Sequence, residues 1–131
     1  MRPWAAEGEI ITDLQYGFRH GIGTIDQGLN LELIIGKYTK AKRGNLFLAF
    51  MQFSAASDCV QHGKLWSIMA AIGVDLNIIK FLRDLYSSAL AQVRFGPQGE
   101  CTKTFPVSRG VHQGCVLAPI LFCLYINQVD K

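Results

Sequence analysis

Apolar residues recur along most of this chain at helical spacing. Leu65, Ile68, Met69 and Ile72 keep the i, i+3, i+4, i+7 rhythm of one helix face, and Gly73 follows as a stop. Ile78, Phe81, Leu82 and Leu85 repeat the rhythm, with Asp75 as the N-cap of that second helix. Upstream, Thr24 with Gln27 three residues later has the form of a capping box. It opens a helix running to about Lys40, although Gly28 and Gly36 weaken it. Residues 46–53 are short, apolar and aromatic, which predicts a buried strand. Ala91, Val93 and Phe95 alternate with Gln92 and Arg94, and Gly96-Pro97-Gln98-Gly99 makes a turn. Residues 102–107 then return as the second strand of a hairpin. A last helix starts near Pro119, with Leu117, Ile120, Leu121, Leu124 and Tyr125 on its buried side. The order helix, strand, two helices, hairpin, helix is an α+β fold.

No repeat, low-complexity tract or linker divides this pattern, so it reads as one unit, residues 15–131, after an acidic lead, residues 1–14. With 131 residues, 50% of them hydrophobic and 18% charged, the chain can bury a core without disulfides and is no disordered tail. Its mean hydropathy of +0.20 is high for a soluble protein of this size. Either the core is large for the chain, or some apolar surface meets another body. That body is not a membrane on this reading. The longest apolar run, residues 116–126, contains Pro119 and falls well short of the roughly 20 residues a span requires. The start of the chain lacks the apolar stretch of a signal peptide. Cys59, Cys101, Cys115 and Cys123 form no CxxC and read as reduced, mostly buried thiols. An intracellular protein, cytoplasmic or nuclear, is the expectation.

The net charge of +3 conceals an asymmetry. Arg2 faces Glu7, Glu9 and Asp13 in the lead, whereas Lys37, Lys40, Lys42 and Arg43 cluster with no acid between Glu32 and Asp58. Such a cluster suits phosphates, but a solvated helix end whose lysines meet the negative pole of the dipole is the reading charge alone favours. Two spacings resemble zinc half-sites, Cys59-x-x-His62 and His112-x-x-Cys115. A helix pair and a hairpin separate them, so buried thiols beside surface imidazoles are favoured over a metal. No nucleophile elbow, Walker loop or dinucleotide fingerprint occurs. Gly21-Ile22-Gly23 before a helix is weak evidence for an anion site, and a turn needing positive φ explains it better.

Three segments carry a more specific signal by appearing together and in order. They are residues 15–27 (QYGFRHGIGTIDQ), 48–58 (LAFMQFSAASD) and 109–119 (RGVHQGCVLAP). Together they resemble the reverse transcriptase of non-LTR (LINE-type) retrotransposons, over residues 15–131, with the Lys64-Leu65-Trp66 helix also in place. The resemblance implies the fingers and part of the palm of an RNA-directed DNA polymerase. In that family two Mg²⁺ ions are held by carboxylates, one from the strand of the second segment and others from a later aromatic-x-Asp-Asp turn. A fingers arginine meets phosphate, and the Gln-Gly of the third segment lines the nucleotide pocket.

Mapped onto this chain, the resemblance exposes departures. Arg19 stands at the family's GFR arginine, while Ile22-Gly23 replaces a common Arg-Ser. Gln52 occupies the position of the metal-binding aspartate, and a neutral amide offers Mg²⁺ only a weak carbonyl oxygen. Ser57 stands where a bulky aromatic screens the ribose 2′-hydroxyl, and Asp58 matches an aspartate that supports the palm. Gln113 and Gly114 match, and Arg109 opens their loop. His112 replaces an Arg or Lys, and Ala118 replaces a serine cap before Pro119, at a cost of about 1 kcal/mol. No aromatic-x-Asp-Asp occurs within the 131 residues. The expectation is therefore a catalytically inactive, truncated reverse transcriptase domain with no cofactor. The alternative is a non-enzymatic module that binds RNA or DNA through Arg19, the Lys37 to Arg43 cluster, Arg94 and Arg109.

Overall fold

The structure, a computed structural model, describes residues 10–40 and 45–128. The chain divides into two compact units, Met1–Ser54 and Ala55–Lys131.

In the first unit the only helix among the described residues is α1, Thr24–Lys40. Its extent is the one the sequence predicts. Its cap is displaced by one residue, because the Gly23 amide donates to Asp26 Oδ2 at 2.6 Å, so the reciprocal arm comes from Asp26 and not Gln27. Asp26 in the first turn and Lys37 and Lys40 in the last complement the helix dipole. Gly21, at φ +76°, supplies the left-handed turn before the helix. None of the residues of α1 is buried.

The strand expected at residues 46–53 does not form. Those residues lie in irregular, largely exposed chain, with Phe47 88% and Phe50 81% exposed. A strand is held by a neighbour's hydrogen bonds, and no segment among the described residues pairs with this one.

The second unit contains the core. A 3₁₀ turn, Ser57–Cys59, leads into α2, His62–Ala71, and then α3, Leu76–Ser87. Gly73 at φ +79° ends α2 with the paired bonds of a Schellman motif. Its amide donates to Ala70 O, and Val74 N donates to Met69 O. Asp75 caps α3 as expected, accepting from Asn77 N at 2.7 Å. The last helix, α4, Ala118–Ile126, has Pro in its first turn. Leu117 and not Ala118 stands at its N-cap, without a side-chain cap. Helix α2 packs against both α3 and α4. Leu65, Met69, Leu82, Leu121 and Val60 lose nearly all exposure there, each worth about 1.5–3 kcal/mol of burial.

Helix α3 presents a different face from the one expected. Ile79, Leu82 and Tyr86 are buried, whereas Phe81 is 64% exposed and Ile78 and Leu85 are also exposed. In α4 the buried side is Ala118, Leu121, Cys123 and Leu124, with Ile120 and Tyr125 only half-buried. The cysteines also depart from expectation. No disulfide joins them, but only Cys123 is buried, because Cys59 closes the 3₁₀ turn and Cys101 lies on the exposed hairpin.

That hairpin consists of two short ladders. Strands β1, Leu90–Ala91, and β4, Phe105–Pro106, pair antiparallel, as do β2, Arg94–Phe95, and β3, Glu100–Cys101. Gln92 and Val93 separate the ladders on one side, and Thr102, Lys103 and Thr104 on the other, so the return strand carries one extra residue. No helix among the described residues is long and apolar enough to cross a membrane.

Candidate nucleotide-binding site

In the second unit, the end of the second motif and the loop of the third are drawn together by their backbones. Val111 N donates to Ser57 O at 2.9 Å, and Gly110 N donates to Val60 O at 2.8 Å. Gln61 and Arg109 complete the contact as an antiparallel bridge. This approach depends on Gly110, which sits at φ +92°. A Cβ there would lie 3.0 Å from Asp58 Cα and 3.1 Å from its carbonyl oxygen. The close approach of this loop at Gly110 is thus to the protein's own backbone. Gly114, at φ +81°, has open space where its Cβ would be.

Side chains reinforce the junction. Gln113 Nε2 donates to Asp58 Oδ1 at 2.8 Å. A carboxylate only accepts, so the amide nitrogen must be the end that faces it. His62 Nε2 lies 2.8 Å from Gly110 O, and a carbonyl only accepts, so that nitrogen carries the proton. Behind the loop stands Tyr86. His112 stacks on its ring at 4.3 Å, while His62 and Trp66 meet it edge-on at 5.1 and 5.7 Å. The hydroxyl of Tyr86 is buried, and burial raises its phenol above the ordinary value. The His112 backbone opposes the rise in part without forming a hydrogen bond of ordinary geometry, and the neighbouring Cys115 adds to it.

Ser57, Asp58, Arg109, Gln113 and Gly114 therefore share one junction. Arg19, Lys37, Lys40 and Gln52 belong to the first unit, and among the described residues no hydrogen bond or ion pair joins any of them to another. Arg19 donates to Thr12 O and to Asp13 Oδ1, both at 3.3 Å, so part of its charge is met locally by an exposed acid. Lys37 and Lys40 are exposed in the last turn of α1, whereas Lys42 and Arg43 lie outside the described residues. Sequence reasoning missed the buttress. His62 and His112 looked like parts of zinc half-sites, yet both imidazoles pack on Tyr86, and among the described residues no three His, Cys, Asp or Glu side chains gather as a metal site. For Tyr86 the one available signal was its place one turn after Leu82.

The donor set does not suit the Mg²⁺ pair the resemblance implies. Gln52, which stands at the metal-aspartate position, is exposed and neutral. What the junction offers instead is an exposed loop with an amide, an arginine and glycine backbone, groups suited to hydrogen-bonding a polar ligand.

The comparisons agree with the three-segment pattern. The family described as "Reverse transcriptase (RNA-dependent DNA polymerase)" matches residues 2–131. Over 115 residues the chain is 25% identical to a retrovirus-related Pol polyprotein from the type-1 retrotransposable element R2 of Popillia japonica, covering 88% of this chain and 16% of that protein. It is equally similar, 25% over 115 residues, to a retrovirus-related Pol polyprotein from the type-2 retrotransposable element R2DM of Drosophila melanogaster, covering 88% and 11%. The chain thus spans a sixth or less of these relatives' length. No solved structure matches it significantly. Because the family match runs through nearly every residue and not only through the motifs, the chain belongs to the reverse transcriptase (RNA-dependent DNA polymerase) family, of the non-LTR retrotransposon kind.

Proposed function

We propose that this chain is a retrotransposon-derived reverse transcriptase segment, its fingers and part of its palm, that keeps a nucleotide-facing loop and has lost polymerase chemistry. The ancestral activity is RNA-templated DNA synthesis. The observation that carries the reading is the junction of Asp58 with Gln113 across two family motifs. Gln52 accounts for the loss of chemistry, since its amide cannot replace a metal-binding carboxylate. In this reading Arg109, Gln113 and Gly114 contact nucleotide or template, Arg19 contacts phosphate, and Ser57 leaves room beside the sugar. Lys37 and Lys40, exposed and without acidic partners among the described residues, support the second reading, a non-enzymatic module that binds RNA or DNA.

Primer extension on an RNA template with Mg²⁺ or Mn²⁺ tests the first reading. No template-dependent incorporation is expected, and incorporation abolished by Asp58→Ala would overturn it. The second reading requires RNA or DNA binding that weakens steeply with salt and is reduced by Lys37→Ala with Lys40→Ala.

A further inference from the structure

Asp58 has a role that its place in a motif does not disclose. Its Oδ1 accepts from Gln113 Nε2 at 2.8 Å, across 55 positions of sequence. A glutamine amide in solvent turns freely and offers either end, but a carboxylate fixes which end faces it. With Nε2 held, Oε1 is the end left over, and it accepts no hydrogen bond from the described residues. The loop carrying Gln113 is itself held by Ser57, Val60 and His62, so the side chain is oriented on a fixed base.

We propose that Asp58 is a positioning residue that gives this exposed loop its polarity. By holding the Gln113 amide nitrogen it turns the carbonyl oxygen outward, so that Gln113 recognises a hydrogen-bond donor on the ligand. This rests on the nucleotide reading above and makes it narrower. Gln113 meets a hydroxyl or amine of the sugar or base, while phosphate is left to arginine. The Asp58 carboxylate acts through Gln113 and does not itself touch the ligand.

The experiment uses the full chain with two readouts. The first is the side-chain amide resonance of Gln113 in free protein. In wild type and Asp58→Asn it is expected to be shifted and protected, because an asparagine carbonyl still accepts, and in Asp58→Ala it is lost. The second is titration with a deoxynucleoside triphosphate. Asp58→Ala is expected to weaken binding roughly tenfold and Asp58→Asn less than about threefold, at unchanged melting temperature. Gln113→Glu sets two carboxylates against each other and is expected to weaken binding similarly. Pairing it with Asp58→Asn reverses the direction of the bond and restores most of the loss.

A Gln113 amide that moves freely in wild type overturns the proposal, as does wild-type affinity in Asp58→Ala. Losses that track melting temperature without recovery in the double variant overturn it as well. A protected amide in a protein that binds no triphosphate overturns the nucleotide reading instead, with Asp58 still judged by the amide signal.

Discussion

At the scale of single residues, two glycines of one loop answer different demands. Gly110 needs both a left-handed backbone and the absence of a side chain, since a Cβ would press on Asp58 Cα. Gly114 needs only the backbone. Gly114→Ala is therefore expected to cost about 1 kcal/mol, the strain of positive φ, and Gly110→Ala about 2–4 kcal/mol, because backbone cannot step aside as a flexible side chain can. Urea unfolding of the two variants checks this, and equal losses would show that the junction yields easily. The sequence marks both glycines alike. What distinguishes them is a partner 52 residues away, Asp58, and local pattern carries no information about that partner. The same limit hid the bond between Asp58 and Gln113, although motif order had singled out both residues.

At the scale of elements, legibility follows how local the cause is. The extent of α1, the stop at Gly73 and the cap at Asp75 arise within a few residues, and the sequence displayed all three. The face of α3 was not legible, because its sequence supports two apolar stripes that share Leu82. Ile78, Phe81 and Leu85 make one, while Ile79 and Tyr86 make the other, and packing on α2 and its surroundings selects the second. Leu82→Ala is expected to cost about 2–5 kcal/mol and Phe81→Ala well under 1 kcal/mol, since Leu82 is 1% exposed and Phe81 64%. Thermal denaturation of both variants distinguishes the stripes. A large loss at Phe81 would mean that the first stripe is covered in solution. Residues 46–53 failed for a related reason, since composition can favour a strand but cannot supply the neighbour that completes it.

At the scale of the whole molecule, the fully buried apolar side chains among the described residues all fall between Val60 and Leu124. Stability is thus expected to be set in the second unit, with Tyr86 at its centre. Burial keeps the Tyr86 phenol protonated above its ordinary value of about 10. Below that pH both folded and unfolded chains hold the proton, and the contribution of Tyr86 is complete. As pH climbs past 10 toward the folded value, the unfolded chain gives up its proton first, so stability falls. Tyr86→Phe keeps the ring and removes the phenol. Its unfolding free energy is expected to decline less steeply above pH 10 than that of wild type, and parallel alkaline limbs would reject this account.

The high hydropathy has a matching explanation at this scale. It does not come from an unusually large core, because Phe47, Phe50, Phe81 and Phe95 remain exposed. Such a surface invites self-association, and the hairpin bears on how that would proceed. Its extra residue between two two-residue ladders breaks the straight run of free amide and carbonyl groups that an incoming strand must follow. Phe95 and Phe105 therefore sit on an edge too short and too bent to seed a growing fibril, so clustering through this region should give disordered clumps in place of ordered cross-β threads.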